Sequence, residues 1–232
     1  MAGFSAAMGA KSHHWHHRRR SRVADRAALR NYQDGAKRWL DIAGVLVLAP
    51  FALPLVGVLW LLVRLDGGPG FFGHWRVGRD GHAFRCWKLR SMVPDADTRL
   101  EAMLARDPAL RAEWQAGFKL ARDPRITPLG RLLRRTSLDE LPQLWNVLRG
   151  EMSLVGPRPV TRAELAAYGG YAWAYLECRP GITGLWQVSG RNDTSYEERV
   201  LLDLGYTARA GLRTDLAILA RTPLAVMGCT GR

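Results

Sequence analysis

Two adjacent carboxylates, Asp139 and Glu140, are the residues of this chain best placed for chemistry, because basic residues accumulate around them in the sequence. Transfer of a phosphoryl group needs positive charge where negative charge shifts. Neighbouring cations are also expected to keep carboxylates ionised, which suits them to bind Mg²⁺ or to attack phosphorus and not to act as acids of raised pKa. The pattern therefore predicts phosphate chemistry at this pair. The basic residues concerned include Lys88, Arg90, Arg134, Arg158 and Arg191.

The same pair has a plainer interpretation as a helix cap. Ser137 stands three residues before Glu140 and ahead of an apolar run, which is the pattern of a capping box. The motif alone favours the cap, and capping and catalysis are compatible. Pro142 limits how far upstream a regular helix begins, so we expect Asp139 at an irregular entry that a ligand can reach.

Two further segments are suited to the anionic part of a substrate. Arg158 lies between two prolines, and a guanidinium on so stiff a loop suits bidentate phosphate binding. A surface arginine in a proline turn explains that pattern equally well. Residues 184–192 combine glycines, an aromatic ring, Gln187 and Arg191, which suits a nucleotide, although an ordinary structural loop fits too.

A long apolar segment precedes these groups. Ile42–Val63 contains 22 consecutive uncharged residues, enough to cross a hydrocarbon core. Pro50 and Pro54 lie inside it and each removes a backbone donor, so the helix should bend sharply near Pro54. Basic residues flank both ends, whereas a span would put one end outside. We predict a helix that enters the membrane from the cytoplasm, kinks at Pro54 and returns; the alternative is a single kinked span.

The remaining sequence predicts a mainly α-helical protein with a small β-hairpin, whose turn is Asp80-Gly81. Helical spacing over residues 95–115, broken near Pro108, predicts two short surface helices. A further helix is expected from Thr161 to Cys178, where a Pro-Gly pair follows. The segment 212–227 is apolar with interspersed charges, which fits a helix in the membrane interface or, equally well, a core helix.

Composition divides the chain into three parts. Its 34 Lys and Arg against 21 Asp and Glu give a formal charge of +13, which indicates anionic partners: phospholipid, nucleic acid or phosphorylated substrates. We expect residues 1–36 to form a disordered basic tail. Its His-rich run is predicted to be solvated, and a metal site is the less favoured alternative. Residues 37–66 form the membrane element, and residues 67–232 a cytoplasmic catalytic domain with interfacial helices. Three widely spaced cysteines predict neither disulfides nor structural zinc.

Taken together, these motifs resemble the bacterial sugar transferase family, the monotopic polyprenyl-phosphate phosphoglycosyl transferases. The resemblance covers nearly all of residues 37–228, and so long a series of motifs in fixed order is highly specific. One difference is Leu53, which precedes the kink proline where many members have serine, so neighbouring groups must satisfy the freed backbone there. The matching motifs are Lys37-Arg38-x-x-Asp41, Pro54, Arg76-Val77-Gly78-Arg79-Asp80-Gly81, Lys88-Leu89-Arg90-Ser91-Met92, Ser137-Leu138-Asp139-Glu140-Leu141-Pro142-Gln143, Met152-Ser153-Leu154-Val155-Gly156-Pro157-Arg158-Pro159 and Arg179-Pro180-Gly181-Ile182-Thr183-Gly184.

This resemblance implies a re-entrant membrane helix, an active site on the cytoplasmic face of the bacterial inner membrane, Mg²⁺ dependence and a covalent intermediate. Asp139 would attack the sugar-bearing β-phosphorus of a UDP-sugar and expel UMP, and undecaprenyl phosphate would then accept the phosphosugar. Glu140 would share the metal site with Asp139. The resemblance also implies phosphate or substrate binding by Lys88, Arg90, Arg134, Arg158, Gln187 and Arg191.

Within the family, the motifs and compact size resemble enzymes that begin an exopolysaccharide repeat unit with galactose or glucose 1-phosphate, galactose being slightly preferred. The expected partners are a UDP-sugar, undecaprenyl phosphate and inner-membrane phospholipid, without nucleic acid; a homo-oligomer is left open. The rival interpretation is a non-enzymatic, membrane-tethered module whose basic surface binds acidic lipid or nucleic acid. Against nucleic-acid binding, the aromatic residues of this chain are not interleaved with its basic run, as a platform for stacking bases requires.

Overall fold

The computed structural model describes residues 26–117, 120–190 and 195–227, so the His-rich tail and Arg191 lie outside the described residues. Helices dominate the described part, as predicted, and two short pairs of strands join them. Single 3-10 turns cover Arg79–Gly81, Leu138–Glu140 and Gly169–Tyr171. The α-helices are α1 Ala36–Arg64, α2 Ala96–Arg106, α3 Pro108–Gly117, α4 Pro128–Thr136, α5 Gln143–Leu148, α6 Arg162–Ala166, α7 Ala172–Leu176, α8 Leu185–Ser189, α9 Tyr196–Arg209 and α10 Leu212–Met227.

Both ends of α1 pack on the same globular body. Near its start, Asp41 accepts hydrogen bonds of 2.8 Å from the Ser153 hydroxyl and from the next backbone amide. Val45 lies in the largest buried core, which also contains residues of α5 and α10. Near its end, Leu59 and Val63 are buried in a second core with residues of the hairpin and of α4. Helix α1 is therefore anchored at two places.

The middle of α1 is apolar and exposed. Phe51 is 77 % exposed and Leu53 69 % exposed. The helical stretch Arg26–Arg64, which contains α1, is long and apolar enough by length and composition to cross a membrane. Helical structure continues through Pro50 and Pro54, and the bend expected at Pro54 stays a prediction.

The predicted β-hairpin is confirmed. Strand β1, Phe71–Val77, runs antiparallel to β2, Ala83–Leu89, and all seven residues of each strand are paired. Their connection carries two left-handed residues, Asp80 with φ 57° and Gly81 with φ 83°. Aspartate and glycine tolerate this conformation better than other residues, which explains why this dipeptide marks the turn. Strand β2 brings Lys88 toward the acidic pair.

The two surface helices expected near residues 95–115 are also confirmed, as α2 and α3. Asp107 separates them and accepts a hydrogen bond of 2.8 Å from the amide of Ala109, at the start of α3. Pro108 occupies the first position of α3, where its missing amide donor costs nothing.

The long helix expected from Thr161 to Cys178 is wrong. The structure divides this segment into α6, a 3-10 turn and α7. Gly169 has a φ of +52°, in the left-handed region, and Gly170 follows it. Consecutive glycines favour leaving the helix because they lose the most backbone entropy in it.

A pair of parallel strands, which the sequence did not predict, crosses the main core. Strand β3, Ser153–Val155, pairs with β4, Gly181–Thr183. The chain after β3 passes so close to β4 that a Cβ atom on Gly181 would lie 2.1 Å from the backbone nitrogen of Gly156. A Cβ atom on Gly184 would lie 2.1 Å from the carbonyl oxygen of Gly156. These glycines hold the loop that carries Arg158 against the start of α8.

Helix α10 has one buried and one exposed face. Asp215 and Ile218 are buried, whereas Leu216, Leu224 and Met227 are exposed. The buried face supports the core interpretation, and the exposed apolar face is the part that suits a membrane interface. Of the cysteines, Cys86 and Cys178 are free and buried, and Cys229 lies outside the described residues.

Candidate active site

The turn that holds Asp139 and Glu140 follows directly from helix α4. That helix begins behind Thr127, whose side chain accepts a hydrogen bond of 2.9 Å from the amide of Gly130. It ends at Ser137, which has a left-handed φ of 58°. A left-handed residue redirects the chain sharply. The two acids therefore lie on a separate 3-10 turn and not on a continuation of α4.

The predicted capping box at Ser137 and Glu140 is wrong. The Ser137 side chain makes no capping hydrogen bond, and α5 begins only at Gln143, behind Pro142. Reciprocal capping boxes form instead at the starts of α6 and α9. The acidic pair is therefore available for another role.

Lys88 connects the two acids to strand β2. Its Nζ lies 2.6 Å from Oε1 of Glu140 and 3.8 Å from Oδ2 of Asp139. The short contact orients Glu140, and the longer one places a positive charge beside Asp139. Burial alone would lower the pKa of Lys88, but Glu140 and Asp139 outweigh it and raise that pKa. Lys88 consequently remains a cation in the site.

The two acids differ in exposure. The side chain of Asp139 is 8 % exposed, whereas that of Glu140 is 32 % exposed and that of Lys88 29 % exposed. The irregular entry expected around Asp139 is present as the 3-10 turn. Its accessible side is formed by Glu140 and Lys88 more than by Asp139, which lies beneath them.

Burial changes the ionisation expected for Asp139. Loss of water raises the pKa of Asp139, and the charge of Glu140 raises it further. Lys88 and Arg134 act in the opposite direction but do not outweigh burial. The expectation that cationic neighbours would dominate is therefore wrong for Asp139. A carboxylate of raised pKa is a stronger base, and a better nucleophile once ionised, than one held by ion pairs alone.

Arg134 lies on the last turn of α4, on the way into the acidic turn. Its Nε donates a hydrogen bond of 2.8 Å to the hydroxyl of Ser91, which follows the hairpin. Its charge acts on Asp139, as the lowering effect on the pKa of that carboxyl indicates. The structure therefore brings the predicted Arg134 to the acidic pair.

Arg158 is also directed toward this region. Its guanidinium carbon lies 5.4 Å from the centre of the Trp186 ring, on α8. Burial and the neighbouring charge of Arg199 lower the pKa of Arg158, while Glu140 opposes them. The site therefore extends from the acidic pair through Arg158 to an aromatic ring. The proline turn that could have been mere surface is part of it.

Arg199 is a residue that the sequence interpretation missed. It is 6 % exposed, and its guanidinium carbon lies 5.0 Å from the centre of the Trp186 ring. Arg199, Asp203 and Tyr206 are all buried on α9. Spacings of four and three residues mark one helix face, so helical periodicity could have identified an arginine facing inward.

Among the described residues, two polar side chains near Trp186 have buried atoms without hydrogen-bond partners. These are the buried Oε1 atom of Gln187 and the buried Nε and Nη2 atoms of Arg199. Gln187 directly follows Trp186 in the chain, and substrate contact by it stays a prediction. Arg191 lies outside the described residues.

Arg90 lies apart from this cluster. It is 6 % exposed and forms an ion pair with Asp66, just after α1. It also donates to the carbonyls of Val63, Pro69 and Met92 at 2.6 to 2.9 Å. In the structure Arg90 joins the end of α1 to the hairpin, and phosphate binding by it stays a prediction.

The donor set fits a magnesium ion shared with a substrate and not a closed metal site. Among the described residues, no group of three or more His, Cys, Asp or Glu side chains is close enough to enclose a metal. Asp139 and Glu140 supply two carboxylates at one turn. Mg²⁺ is commonly held by one or two carboxylates together with substrate phosphates and water.

Comparison with known proteins identifies related sequences. The profile described as bacterial sugar transferase matches residues 32–229. Over 192 residues, the chain is 47 % identical to the exopolysaccharide production protein ExoY of Rhizobium meliloti, covering 82 % of this chain and 85 % of that protein.

Two relatives are longer than this chain. The UDP-galactose-lipid carrier transferase of Erwinia amylovora is 55 % identical over 186 residues, which is 80 % of this chain and 39 % of that protein. The undecaprenyl-phosphate galactose phosphotransferase of Salmonella typhimurium is 52 % identical over 191 residues, 82 % of this chain and 40 % of that protein. The chain thus matches about two fifths of the length of these relatives.

Proposed function

This chain belongs to the bacterial sugar transferase family, and we propose that it transfers a hexose 1-phosphate from a UDP-sugar to undecaprenyl phosphate. The observation that carries the proposal is the buried turn on which Asp139 and Glu140 meet Lys88, with Arg134 and Arg158 within electrostatic reach. It combines a nucleophile with positive charge for phosphate oxygens. The names of the relatives support the acceptor and the type of sugar.

In the first displacement, a carboxylate oxygen of Asp139 attacks the β-phosphorus of the UDP-sugar. The bond from that phosphorus to the bridging oxygen breaks, and UMP leaves with the oxygen and its electron pair. The product is a phosphosugar ester on Asp139. Lys88 orients Glu140 and places its own positive charge beside the attacking carboxylate of Asp139. Arg158 offsets the negative charge on the donor phosphates.

In the second displacement, an oxygen of undecaprenyl phosphate attacks the same phosphorus. The bond between phosphorus and the Asp139 oxygen breaks, and Asp139 recovers its carboxylate with the electron pair of that bond. The product is a hexose joined to the lipid through a diphosphate. Two displacements of this kind form a ping-pong scheme, in which the first product leaves before the acceptor reacts.

Asp139 and Glu140 are the residues that would hold Mg²⁺, which, when bound, supplies neutralising charge to the phosphate oxygens. The side chain of Glu140 is the more exposed of the two carboxylates. Glu140 would therefore be the more accessible ligand for the ion, and Asp139 would keep a carboxylate oxygen for the attack on phosphorus.

Helix α1 would place this site at a membrane surface. We propose that its exposed apolar middle lies in the cytoplasmic leaflet of the bacterial inner membrane, bent near Pro54. Both ends of α1 contact the same globular body, whereas a straight span would carry one end to the opposite side of the bilayer. The exposed apolar face of α10 would lie in the interface beside it.

The donor sugar is proposed to be galactose or glucose, with galactose favoured by the names of the relatives. The product would begin an exopolysaccharide repeat unit, in keeping with the name of the Rhizobium meliloti relative. Partners would accordingly be the UDP-sugar, the lipid phosphate and membrane phospholipid.

The reaction can be tested with the purified chain in lipid nanodiscs. UDP-galactose, UDP-glucose and undecaprenyl phosphate are supplied with and without Mg²⁺, and UMP is measured. We expect UMP from at least one donor only when Mg²⁺ is present, and a lipid-linked sugar when the acceptor is present. Release of no UMP from any UDP-sugar would remove the enzymatic proposal and favour a binding module.

The membrane topology has its own test. A single reactive cysteine introduced before Lys37, in a background with the natural cysteines replaced, is expected to be shielded from an impermeant reagent in intact cells. A second cysteine placed after Arg64 is expected to behave in the same way. Labelling at one position and not at the other would indicate a true span.

A further inference from the structure

Next to Trp186, one edge of the Arg199 guanidinium makes no hydrogen bond to the described residues. Arg199 is buried, and the guanidinium lies over two aromatic rings, 5.0 Å from the centre of Trp186 and 5.5 Å from that of Tyr196. Its Nε and Nη2 atoms are buried and have no hydrogen-bond partner in the part of the chain that the structure describes. These two nitrogens share one edge of the guanidinium and present parallel N–H groups, the geometry that matches two oxygens of a phosphate.

Leaving such an edge unpaired is costly for a protein. A buried donor without a partner loses the hydrogen bonds that water gave it. The acid on the same face of α9, Asp203, is engaged by the hydroxyl of Tyr168 at 2.7 Å, and the described residues show no ion pair of Arg199 within 4.0 Å. The rings of Trp186 and Tyr196 stabilise the positive charge of Arg199, but they do not accept hydrogen bonds from its Nε–H and Nη2–H groups. The arrangement is therefore prepared for an anionic ligand.

The neighbouring groups indicate which ligand this is. Arg158 lies 5.4 Å from the centre of the same Trp186 ring, so two guanidiniums share one indole. Two adjacent cations suit a diphosphate better than a single phosphate. The unpaired Oε1 atom of Gln187 needs a hydrogen-bond donor. A nucleotide sugar offers hydroxyl and N–H groups, whereas the headgroup of a lipid phosphate offers mainly acceptors.

We infer that Arg199 is a binding residue for the nucleotide-sugar donor: its Nε and Nη2 edge binds an oxygen pair of the diphosphate, beside Arg158 and over Trp186. Gln187 accepts a hydrogen bond from the nucleoside or the sugar of the same ligand. This inference rests on the proposed function and adds to it the part of the site that binds the donor. It assigns Arg199 to the first displacement and not to the second.

Binding can be measured separately from turnover. The Asp139→Asn background prevents the first displacement, so titration with UDP-galactose reports affinity alone. In this background we expect Arg199→Gln to weaken UDP-galactose binding by about tenfold or more, the usual size of a lost charge-assisted contact. Arg199→Lys keeps the positive charge but lacks the two parallel N–H groups of the guanidinium, and is expected to weaken binding of UDP-galactose several-fold. Arg209→Gln, an exposed arginine on the same helix, is the matched control and should bind like the parent.

Turnover distinguishes the two phosphates. With Asp139 restored, Arg199→Gln should raise the KM for UDP-galactose and leave the KM for undecaprenyl phosphate unchanged at saturating donor. A rise in the lipid KM alone would overturn the assignment to the donor. Unchanged binding in both Arg199 variants would overturn it entirely. If Arg199→Gln lowers the thermal midpoint so far that it does not fold, Arg199→Lys decides the result.

The same experiments separate this inference from the proposed function. If the unmodified chain and Arg209→Gln bind UDP-galactose but never form UMP, the proposed reaction fails while the binding result stands. If they turn over normally and Arg199 variants do so with unchanged donor KM, the reaction stands and the role of Arg199 fails.

Discussion

Two lysine–carboxylate clusters in this protein have similar chemistry but different exposure to solvent. In the first, Lys37 on α1 pairs with Asp215 on α10, and the hydroxyls of Tyr32 and Tyr206 donate to the same carboxylate at 2.8 and 2.9 Å. The Lys37 side chain is 3 % exposed and that of Asp215 is fully buried. We call this the anchor cluster, because it joins the two helices with apolar exposed faces.

The second cluster, Lys88 with Asp139 and Glu140, is the reaction cluster. Its lysine and Glu140 are about one third exposed, and only Asp139 is buried. A closed network satisfies each partner and resists change, whereas an open one leaves room for a substrate. Of these two clusters, the reaction cluster is the one with a side that a substrate can reach.

The largest expected effect is on Asp139. Asp139→Asn should lower turnover by about 10³-fold or more, which corresponds to about 4 kcal/mol in the activation barrier, because the amide cannot form the ester. UMP release in nanodiscs measures it. Membrane association and the thermal midpoint should remain at the level of the unmodified chain. Retained activity in a folded Asp139→Asn variant would remove Asp139 as nucleophile.

The anchor cluster should respond in the opposite way. Asp215→Ala leaves the buried Lys37 without its carboxylate, and loss of one partner of a buried pair typically costs about 3–5 kcal/mol of stability. Thermal unfolding in nanodiscs should show a large fall in midpoint, with the turnover of the remaining folded molecules little changed. Asp95→Asn, which breaks an exposed pair with Arg99, is the control and should leave the midpoint unchanged. An Asp215→Ala variant as stable as the parent would make the two clusters equivalent.

Lys88 tests the organisation of the reaction cluster. Lys88→Gln should reduce kcat by roughly 10- to 100-fold, since the cation beside Asp139 and the contact to Glu140 are both lost. Arg85→Gln changes an exposed side chain on the same strand and serves as the control, with near-normal kcat expected. Equal kcat in the two variants would assign Lys88 a purely structural role.

The pH dependence should show the smallest effect. Asp139 must be ionised to attack, and burial raises the pKa of Asp139. Activity should therefore fall as the pH drops through this raised pKa, at a higher pH than for an exposed aspartate. Lys88 lowers the pKa of Asp139, so Lys88→Gln should move the acid limb of kcat/KM for the UDP-sugar further upward. A downward shift would contradict the assignment of that limb to Asp139.

Local signals predicted several elements well. The hairpin follows from Asp80-Gly81, and the division between α2 and α3 follows from Pro108, because the conformations of these residues are restricted by their own chemistry. The expected helix over 161–178 failed at Gly169, where backbone entropy outweighed the apolar pattern. The parallel strands β3 and β4 were missed because three-residue strands carry no readable period.

The site was predicted in part for similar reasons. The structure places Lys88 in contact with the acidic pair and Arg134 and Arg158 within its electrostatic reach, and charge of opposite sign is recognisable in sequence. Arg90 has the same charge but contacts Asp66 instead. Arg199 was missed although helical periodicity places it on the inward face of α9, and its contact with Trp186 depends on how α9 packs on α8.

The sequence by itself determined the family, the apolar helix and the identity of the acidic pair, because each rests on residue types and their local order. Only the tertiary structure decided that the Ser137 side chain makes no capping hydrogen bond and that burial outweighs neighbouring cations in setting the pKa of Asp139. It also decided that Arg199 lies over Trp186 with two nitrogens that have no hydrogen-bond partner among the described residues. Those outcomes depend on distances between residues far apart in the chain and on the exclusion of water, and neither quantity is encoded in local order.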